Sequence, residues 1–384
     1  MRKIAWVLIA LALLPGCKWF KGKDKQPVDP PAKLVKFERS AEVKKLWSAD
    51  TGKGIARTGA RPRPGYADGR VFVTDFDGGL LAYDAATGKR LWRISDKERL
   101  VSGAAARDGL VVAGSIEGTV IAADVGTGKE LWRAAASSEL LAPPVIVDAV
   151  VVVHSNDGRV QGFAAADGKR LWQFDRDVPL LSLRGNAPPI VNAGTVFIGY
   201  DNAKVVALRA SDGTLLWEQN IARPEGRTEL ERMVDLDGDM KIVDDVLYAV
   251  TYNGGVSAIT LDTGRILWTR DMSSYGGLAV SGSVIYAVDT DSQLWALDIR
   301  TGGSLWKQDK LLHRALSTPV VVGDYLVVGD LQGYVHWLKR EDGDTAERFR
   351  LGKKAIWSTP LVVGNRIYVS SIDGHFAAYQ LGDG

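Results

Sequence analysis

The chain has 384 residues, of which 46% are hydrophobic and 24% charged, as in an ordinary globular protein. Its 48 Lys and Arg residues nearly balance 46 Asp and Glu residues, which argues against nucleic-acid binding through a basic surface. A single cysteine, Cys17, excludes internal disulfides and cysteine-cluster metal sites.

The first residues have the features of an export signal. Two basic residues precede an apolar run over residues 4–14, which is shorter than the roughly 20 residues that span a bilayer. The run ends in Leu14-Pro15-Gly16-Cys17, which resembles a bacterial lipobox, where the cysteine is acylated and becomes N-terminal. An ordinary signal peptide with an unrelated cysteine is the alternative. We predict a lipoprotein signal peptide over residues 1–16, and Lys18 favours sorting to the outer membrane.

The segment after the cysteine is predicted to be a tether. Between residues 18 and 36 there are six lysines, three prolines and little apolar content, which is typical of a disordered or extended chain. We therefore predict a lipidated Cys17 with a flexible tether over residues 17–40, followed by a single domain over residues 41–384.

That domain is built from repeats that each contain a Leu-Trp pair. Six of the seven pairs follow a Thr-Gly or Asp-Gly turn, and short β-rich runs separated by glycine turns complete each repeat. A four-stranded unit of about 43 residues is typical of a β-propeller blade. We expect each tryptophan to fill the space between splayed blades rather than to bind a ligand. The seven are Trp47, Trp92, Trp132, Trp172, Trp217, Trp268 and Trp306.

The repeat count predicts how the ring closes. An eighth repeat is degenerate, because Asp342-Gly343 is followed by Phe349 where a tryptophan is expected. Trp47 lies in an outer strand with no inner strands before it, and the chain ends after a third strand. The strand around residues 43–48 should therefore complete the last blade. We predict an all-β, eight-bladed propeller of four-stranded blades, with seven blades as the competing count.

Two neighbouring connections between blades are extended, as is the connection after Trp47. Residues 172–189 and 217–240 span 17 and 23 positions, against a baseline of about 12. Insertions on one face of a repeat protein often mark its binding face. The first connection places leucines beside Arg184, which predicts either a hydrophobic anchor or a lid folded over the blades. The second contains Asp235 and Asp237, which could recruit a basic partner, pair internally or be solvated.

The sequence contains no recognisable catalytic or metal-binding motif. Met240 and Val246 occupy the positions where a calcium-binding EF-hand loop requires glycine and glutamate. The four histidines are scattered, and no phosphate-binding loop or nucleophile elbow is present. We therefore predict no catalytic residue, no metal and no cofactor.

Residues 82–92, A-x-D-x-x-T-G-K-x-x-W, resemble the repeat of pyrroloquinoline quinone (PQQ) dehydrogenases, which are also eight-bladed. Those enzymes often carry a vicinal cysteine pair, which this chain lacks. The whole chain more closely resembles the BamB family, propeller lipoproteins of the outer-membrane β-barrel assembly machinery. The likeness rests on the lipobox, the length, residues 180–185, and residues 231–237 followed by 248–254.

This resemblance implies a non-catalytic scaffold, anchored to the outer membrane by lipid and facing the periplasm, that aids assembly of outer-membrane β-barrel proteins. It implies binding to the POTRA domains of BamA through Leu181, Leu183 and Arg184, together with Asp235 and Asp237, as one copy in a hetero-complex. Unfolded outer-membrane proteins are a further partner that the sequence leaves open. A PQQ-dependent oxidoreductase and a generic periplasmic scaffold are the alternatives.

Overall fold

The computed structural model describes residues 29–55, 60–176, 187–225, 227–228 and 231–382. Over these residues it contains eight four-stranded antiparallel sheets and no helix. Seven sheets are meanders of consecutive strands, and the eighth combines the two ends of the chain. The predicted eight-bladed β-propeller is confirmed, and the seven-bladed alternative is wrong. Within the described part of the chain, no helix is long and apolar enough to cross a membrane.

The strands are numbered in chain order, and each blade runs from its innermost to its outermost strand. Blade 1 is β2 (Gly65–Ala67), β3 (Arg70–Asp75), β4 (Gly79–Asp84) and β5 (Arg90–Ser95); blade 2 is β6 (Leu100–Arg107), β7 (Leu110–Ser115), β8 (Thr119–Asp124) and β9 (Glu130–Ala135); blade 3 is β10 (Val145–Val147), β11 (Val150–His154), β12 (Val160–Ala164) and β13 (Arg170–Phe174); blade 4 is β14 (Ile190–Asn192), β15 (Thr195–Gly199), β16 (Lys204–Arg209) and β17 (Leu215–Asn220).

The second half of the ring repeats this order. Blade 5 is β18 (Lys241–Val243), β19 (Val246–Val250), β20 (Gly254–Thr260) and β21 (Ile266–Met272); blade 6 is β22 (Leu278–Ser281), β23 (Val284–Val288), β24 (Leu294–Asp298) and β25 (Ser304–Gln308); blade 7 is β26 (Val320–Val322), β27 (Tyr325–Gly329), β28 (Tyr334–Lys339) and β29 (Thr345–Arg350); blade 8 is β30 (Leu361–Val363), β31 (Arg366–Ser370), β32 (His375–Leu381) and β1 (Val43–Asp50).

The N-terminal strand closes the ring as predicted. β1 pairs antiparallel with β32, from Val43 opposite Leu381 to Asp50 opposite His375. This pairing gives blade 8 its outermost strand and leaves the two ends of the domain joined by backbone hydrogen bonds. The arrangement divides the connections between two faces. The blade-to-blade loops and the turns between second and third strands lie on one face, here called the loop face. The remaining turns lie on the hairpin face.

Each tryptophan of the repeat joins two blades. The indole N–H of Trp217 in blade 4 donates a hydrogen bond of 2.7 Å to the carbonyl of Leu261 in blade 5. Gly264, in the turn of the same blade 5, covers the ring so closely that a Cβ there would lie 2.6 Å from Cε3 of Trp217. The backbone φ of Gly264 is 71°, a conformation that also favours glycine. Thr-Gly of one blade therefore packs on Leu-Trp of the preceding blade. The same pairing joins Trp47 to Gly88, Trp92 to Gly128, Trp132 to Gly168, Trp172 to Gly213, Trp268 to Gly302 and Trp306 to Gly343.

Blade 7 lacks this tryptophan for a topological reason. The prediction that Phe349 takes its place is wrong, because the register puts Glu347 there, opposite Trp337. In the other blades the tryptophan lies opposite an alanine or glycine, as Trp217 lies opposite Ala207. Blade 8, the next in the ring, is made from the chain ends and so has no Thr-Gly turn to cover a tryptophan. Trp337, fully buried on β28, supplies the bulk from the neighbouring strand instead.

Part of the predicted flexible tether over residues 17–40 is bound to the propeller. Residues up to 28 lie outside the described part of the chain, whereas residues 29–40 run along the outer edge of blade 7. The amide of Ala32 donates to the carbonyl of Leu312 at 2.9 Å, and the amide of Ser40 donates to that of Ala346 at 3.0 Å. We call residues 29–40 the strap. It begins at the loop face and reaches the start of β1.

A buried ion pair fastens the strap. The guanidinium of Arg314, 2% exposed, donates to the carboxylate of Asp330 and, at 2.8 Å, to the carbonyl of Ala32. His336 Nε2 lies 2.8 Å from the same carboxylate. Because Arg314 and Asp330 neutralise each other inside the protein, loss of either would leave an uncompensated buried charge.

Candidate partner-binding surface

The described parts of the two long loops predicted to bind a partner lie on the loop face, between blades 3 and 5. The positions Leu181, Leu183 and Arg184 fall in residues 177–186, outside the described residues, as does Cys17. Asp235 and Asp237 are described, and their surroundings define the candidate site.

Residues 233–240, the last part of the second long loop, are folded onto the propeller. Val234, Leu236 and Met240 are buried in the apolar core between blades 4 and 5, where they pack with residues such as Phe197. Burial of alternate apolar residues fixes the backbone between them. Asp235 and Asp237, which lie among these buried residues, are therefore held in place by the core.

Asp235 is tied to the neighbouring turn of blade 5. Its backbone forms an isolated antiparallel bridge with Tyr252, whose amide donates to the Asp235 carbonyl at 2.8 Å. The side-chain amide of Asn253 donates to the carbonyl of Met233 at 3.1 Å. Gly238 packs directly on the backbone of Gly276 in the next blade-to-blade loop, where a larger residue would collide. The loop is thus pinned on both sides.

Three carboxylates converge at this point. Asp235 and Asp237 from the loop and Asp201 from the turn between β15 and β16 place carboxylate oxygens within 4.8 Å of one another. Burial, and then the negative charge of Asp201, raise the pKa of Asp237 to about 7, while the guanidinium of Arg61 lowers it. Such perturbed carboxylates are typical of functional sites. We call these three residues the acidic cluster.

The acidic cluster is suited to receive a positive charge. Arg61 of this chain already attracts Asp237, and an arginine or lysine of a partner would further relieve the repulsion between the members of the cluster. A metal ion would do the same, but three close carboxylates alone do not select a metal. The cluster is also unlike the EF-hand loop considered above, because Asp201 comes from a different blade.

Two stacked tyrosines lie beside the acidic cluster. The rings of Tyr252 and Tyr275 are nearly parallel, with centroids 5.0 Å apart, and Tyr275 is 42% exposed. The guanidinium of Arg61 donates to the carbonyl of Tyr275, which fixes the base of this pair. Tyrosine is enriched among the residues that contribute most of the binding energy in protein interfaces.

A charged groove borders the site between blades 3 and 4. Its volume is about 570 Å³, and its ion pairs include Arg159 with Asp157 at 2.6 Å, Arg159 with Asp175 at 2.7 Å and Lys204 with Glu218 at 3.3 Å. These pairs are solvent-facing and of both signs. They contribute a polar rim to the surface rather than a strongly charged patch.

Sequence reasoning found Asp235 and Asp237 but missed Asp201, Tyr252, Tyr275 and Arg61. One available signal was the turn chemistry. Most repeats have glycine in the turn between the second and third strands, but Ala203, two residues after Asp201, occupies that left-handed position in blade 4, with a φ of 54°. A departure from glycine at a position that favours it marks a turn under other constraints.

The comparisons with known proteins agree with this fold. The family model described as outer membrane protein assembly factor BamB matches residues 40–102, 77–308 and 300–384. A BamB from Xanthomonas campestris is 42% identical over 396 residues, which cover 99% of this chain and 98% of that protein. Its name denotes an assembly factor and not an enzyme, in agreement with the predicted absence of catalysis.

Solved structures give the same result. The crystal structure of BamB from Moraxella catarrhalis matches with a TM-score of 0.80 and 28% identity, covering 88% of this chain and 99% of that one. A quinohemoprotein alcohol dehydrogenase from Comamonas testosteroni also matches, with a TM-score of 0.71 and coverage of 90% and 78%, but at 14% identity it shows the fold alone. The chain belongs to the BamB family of outer membrane protein assembly factors.

Proposed function

We propose that this chain serves outer-membrane protein assembly by binding the periplasmic POTRA domains of BamA through its loop face. The observation that carries the proposal is the acidic cluster, held by the core beside Tyr252 and the exposed Tyr275. A folded protein gains no stability from three converging carboxylates. A binding partner that brings a positive charge does gain from them.

The proposed contact combines charge with apolar burial. Leu181 and Leu183 would supply apolar area, and Arg184 a charged contact, from the neighbouring long loop. Asp235 and Asp237 would orient this contact or bind a basic residue of BamA. Tyr275 would extend the surface, because an exposed tyrosine contributes a large contact area at little entropic cost.

We also propose that lipid on Cys17 anchors the chain to the outer membrane, facing the periplasm. The twelve residues from Cys17 to the start of the strap can span at most about 40 Å. The strap begins at the loop face, where Ala32 is bound to Leu312. The anchor would therefore hold the loop face close to the membrane and to a membrane-embedded partner, which raises the effective concentration of both.

Binding to purified BamA in detergent tests the partner. We expect the parent chain to bind, and Asp235→Ala, Tyr275→Ala and the double variant Leu183→Ala/Arg184→Ala each to bind at least tenfold more weakly. Asp324→Ala is the matched control, because Asp324 is an exposed carboxylate on the hairpin face. Circular dichroism shows whether each variant keeps its β-sheet signal.

Two results would overturn the proposal. Binding that is equally strong in the parent and in all folded loop-face variants would place the contact elsewhere, and absence of parental binding would refute the partner. The anchor is tested separately by Cys17→Ser. This variant should move from the membrane to the soluble fraction and lose the mass of the acyl chains, and its retention on the membrane would contradict lipid anchoring.

A further inference from the structure

The central channel contains a charged residue at a position where the fold needs none. In every blade, one residue of the innermost strand pairs with the third residue of the second strand, so these eight residues occupy equivalent positions around the ring. Seven of these eight described positions are glycine or apolar, and the eighth is Lys241 in blade 5, opposite Tyr248. The other seven are Gly65, Ala105, Val145, Ile190, Ala279, Val320 and Leu361.

Lys241 lines a cavity of about 400 Å³ that also contains Arg63 and Asp239. The carboxylate of Asp239 is already used, because it pairs with Arg63 and accepts a hydrogen bond of 3.1 Å from the hydroxyl of Thr359. Within the described residues, Lys241 forms neither an ion pair nor a hydrogen bond through its side chain. Burial, and then the positive charge of Arg63, lower the pKa of Lys241 to about 8.

The rest of the cavity wall is apolar. Blades 6, 7 and 8 contribute alanine, valine, proline and leucine side chains, among them Pro319, Val320 and Leu361, with Thr359 as the single polar residue of those blades. The cavity is therefore lined by two cationic side chains and one anionic side chain from blades 1 and 5 and by apolar side chains from blades 6, 7 and 8. Its volume lies within the range of small-molecule sites.

We propose that this cavity binds a small organic carboxylate, with its acidic group on Lys241 and its apolar part against Pro319, Val320 and Leu361. A partly buried ammonium beside a second cation is unfavourable until an anion neutralises it. Hydrogen bonds between groups of opposite charge are stronger than hydrogen bonds between neutral groups. The apolar wall then favours an organic anion over a fully hydrated inorganic one.

This site is independent of the proposed contact with BamA. It uses Lys241 and the channel wall, whereas the partner-binding surface uses the acidic cluster and the tyrosine pair. Failure of one assignment therefore leaves the other unaffected.

The experiment compares hexanoate, hexanamide and inorganic phosphate by saturation-transfer NMR and titration calorimetry on the full purified chain. We expect hexanoate to bind, and neutral hexanamide and phosphate to bind at least tenfold more weakly. Lys241→Met, which keeps the length of the side chain and removes its charge, should weaken hexanoate binding at least tenfold. Lys129→Met, at an exposed turn lysine, should leave it unchanged.

Each alternative result contradicts the proposal. Equal binding of hexanoate and hexanamide would show that the charge plays no part. Binding of phosphate as strong as that of hexanoate would refute the role of the apolar wall. Hexanoate binding that persists in folded Lys241→Met, or no binding to the parent chain, would overturn the site. Leu361→Ala, which shortens the apolar wall and keeps the charge of Lys241, should also weaken hexanoate binding.

Discussion

Asp237→Asn should make the free protein more stable while weakening its contact with BamA. The pKa of Asp237 is raised from its ordinary value of 3.8 to about 7, chiefly by burial and by Asp201. A carboxyl whose pKa is raised by folding favours the native state when protonated. This contribution to the free energy of unfolding is fully present below pH 4 and is lost as the pH rises through 7. The difference corresponds to at most about 4 kcal/mol, since one pKa unit is worth about 1.4 kcal/mol.

Solvent screening reduces this ceiling, because the Asp237 side chain is partly exposed. We expect the variant to gain roughly 1–3 kcal/mol in free energy of unfolding at pH 8 and almost nothing at pH 4. Urea unfolding at both pH values measures this. Asp212→Asn is a control of opposite sign. A hydrogen bond from the Thr214 amide stabilises the Asp212 carboxylate and lowers its pKa, so removing the negative charge should destabilise the protein. A variant of Asp237 that is less stable at pH 8, or equally shifted at both pH values, would refute the reasoning.

Three further predictions concern the fold. Trp217→Ala should lower the free energy of unfolding by about 3–5 kcal/mol in urea titrations, since the ring joins two blades, whereas Leu216→Ala, at a side chain 44% exposed, should change it by less than about 0.5 kcal/mol. Lys241→Met should raise the free energy of unfolding at pH 7, measured by urea titration, by up to about 3 kcal/mol, because folding lowers the pKa of Lys241 from 10.5 to about 8. The gain should fade as the pH rises from 8 to 10.5. A variant that is less stable than the parent at pH 7 would contradict this prediction. Asp330→Ala should lower the free energy of unfolding by about 3–5 kcal/mol, because it leaves the buried Arg314 without its carboxylate. It should also make the strap more accessible to proteases. Unchanged proteolysis would show that the Arg314–Asp330 pair does not fasten the strap.

Much of the fold could be predicted from the sequence because a propeller repeats its physical problem eight times. The Leu-Trp and Thr-Gly pairs recur at the spacing of a blade, and the unpaired strand at each end of the chain predicts closure of the ring. The partnership between the two motifs was not visible in this way. Trp217 packs on Gly264, 47 positions later, and only the geometry of neighbouring blades brings them together.

The exceptions follow from topology rather than from local pattern. Glu347 replaces the expected tryptophan because blade 8 offers no turn for it to pack under, and Trp337 fills the space from another strand. The strap was predicted as a flexible tether because its composition is polar. Its stability depends on Arg314 and Asp330, nearly 300 positions away, which local composition does not reveal.

The candidate site was predictable only in part for the same reason. Asp235 and Asp237 lie in an unusually long loop and so attract attention in the sequence. Asp201 lies in a short turn of another blade, and its carboxylate joins the other two only in the folded ring. Tyr275 likewise comes from the following loop, and its stacking on Tyr252 depends on how blades 5 and 6 are placed.

Photo-crosslinking in living cells tests the central claim most directly. A benzoylphenylalanine residue placed at Leu183 or at Tyr275 should crosslink to BamA, because both positions belong to the proposed contact on the loop face. The same residue at Asp324, on the hairpin face, should not. Crosslinks to BamA from Asp324 alone, or equally from all three positions, would contradict binding through the loop face.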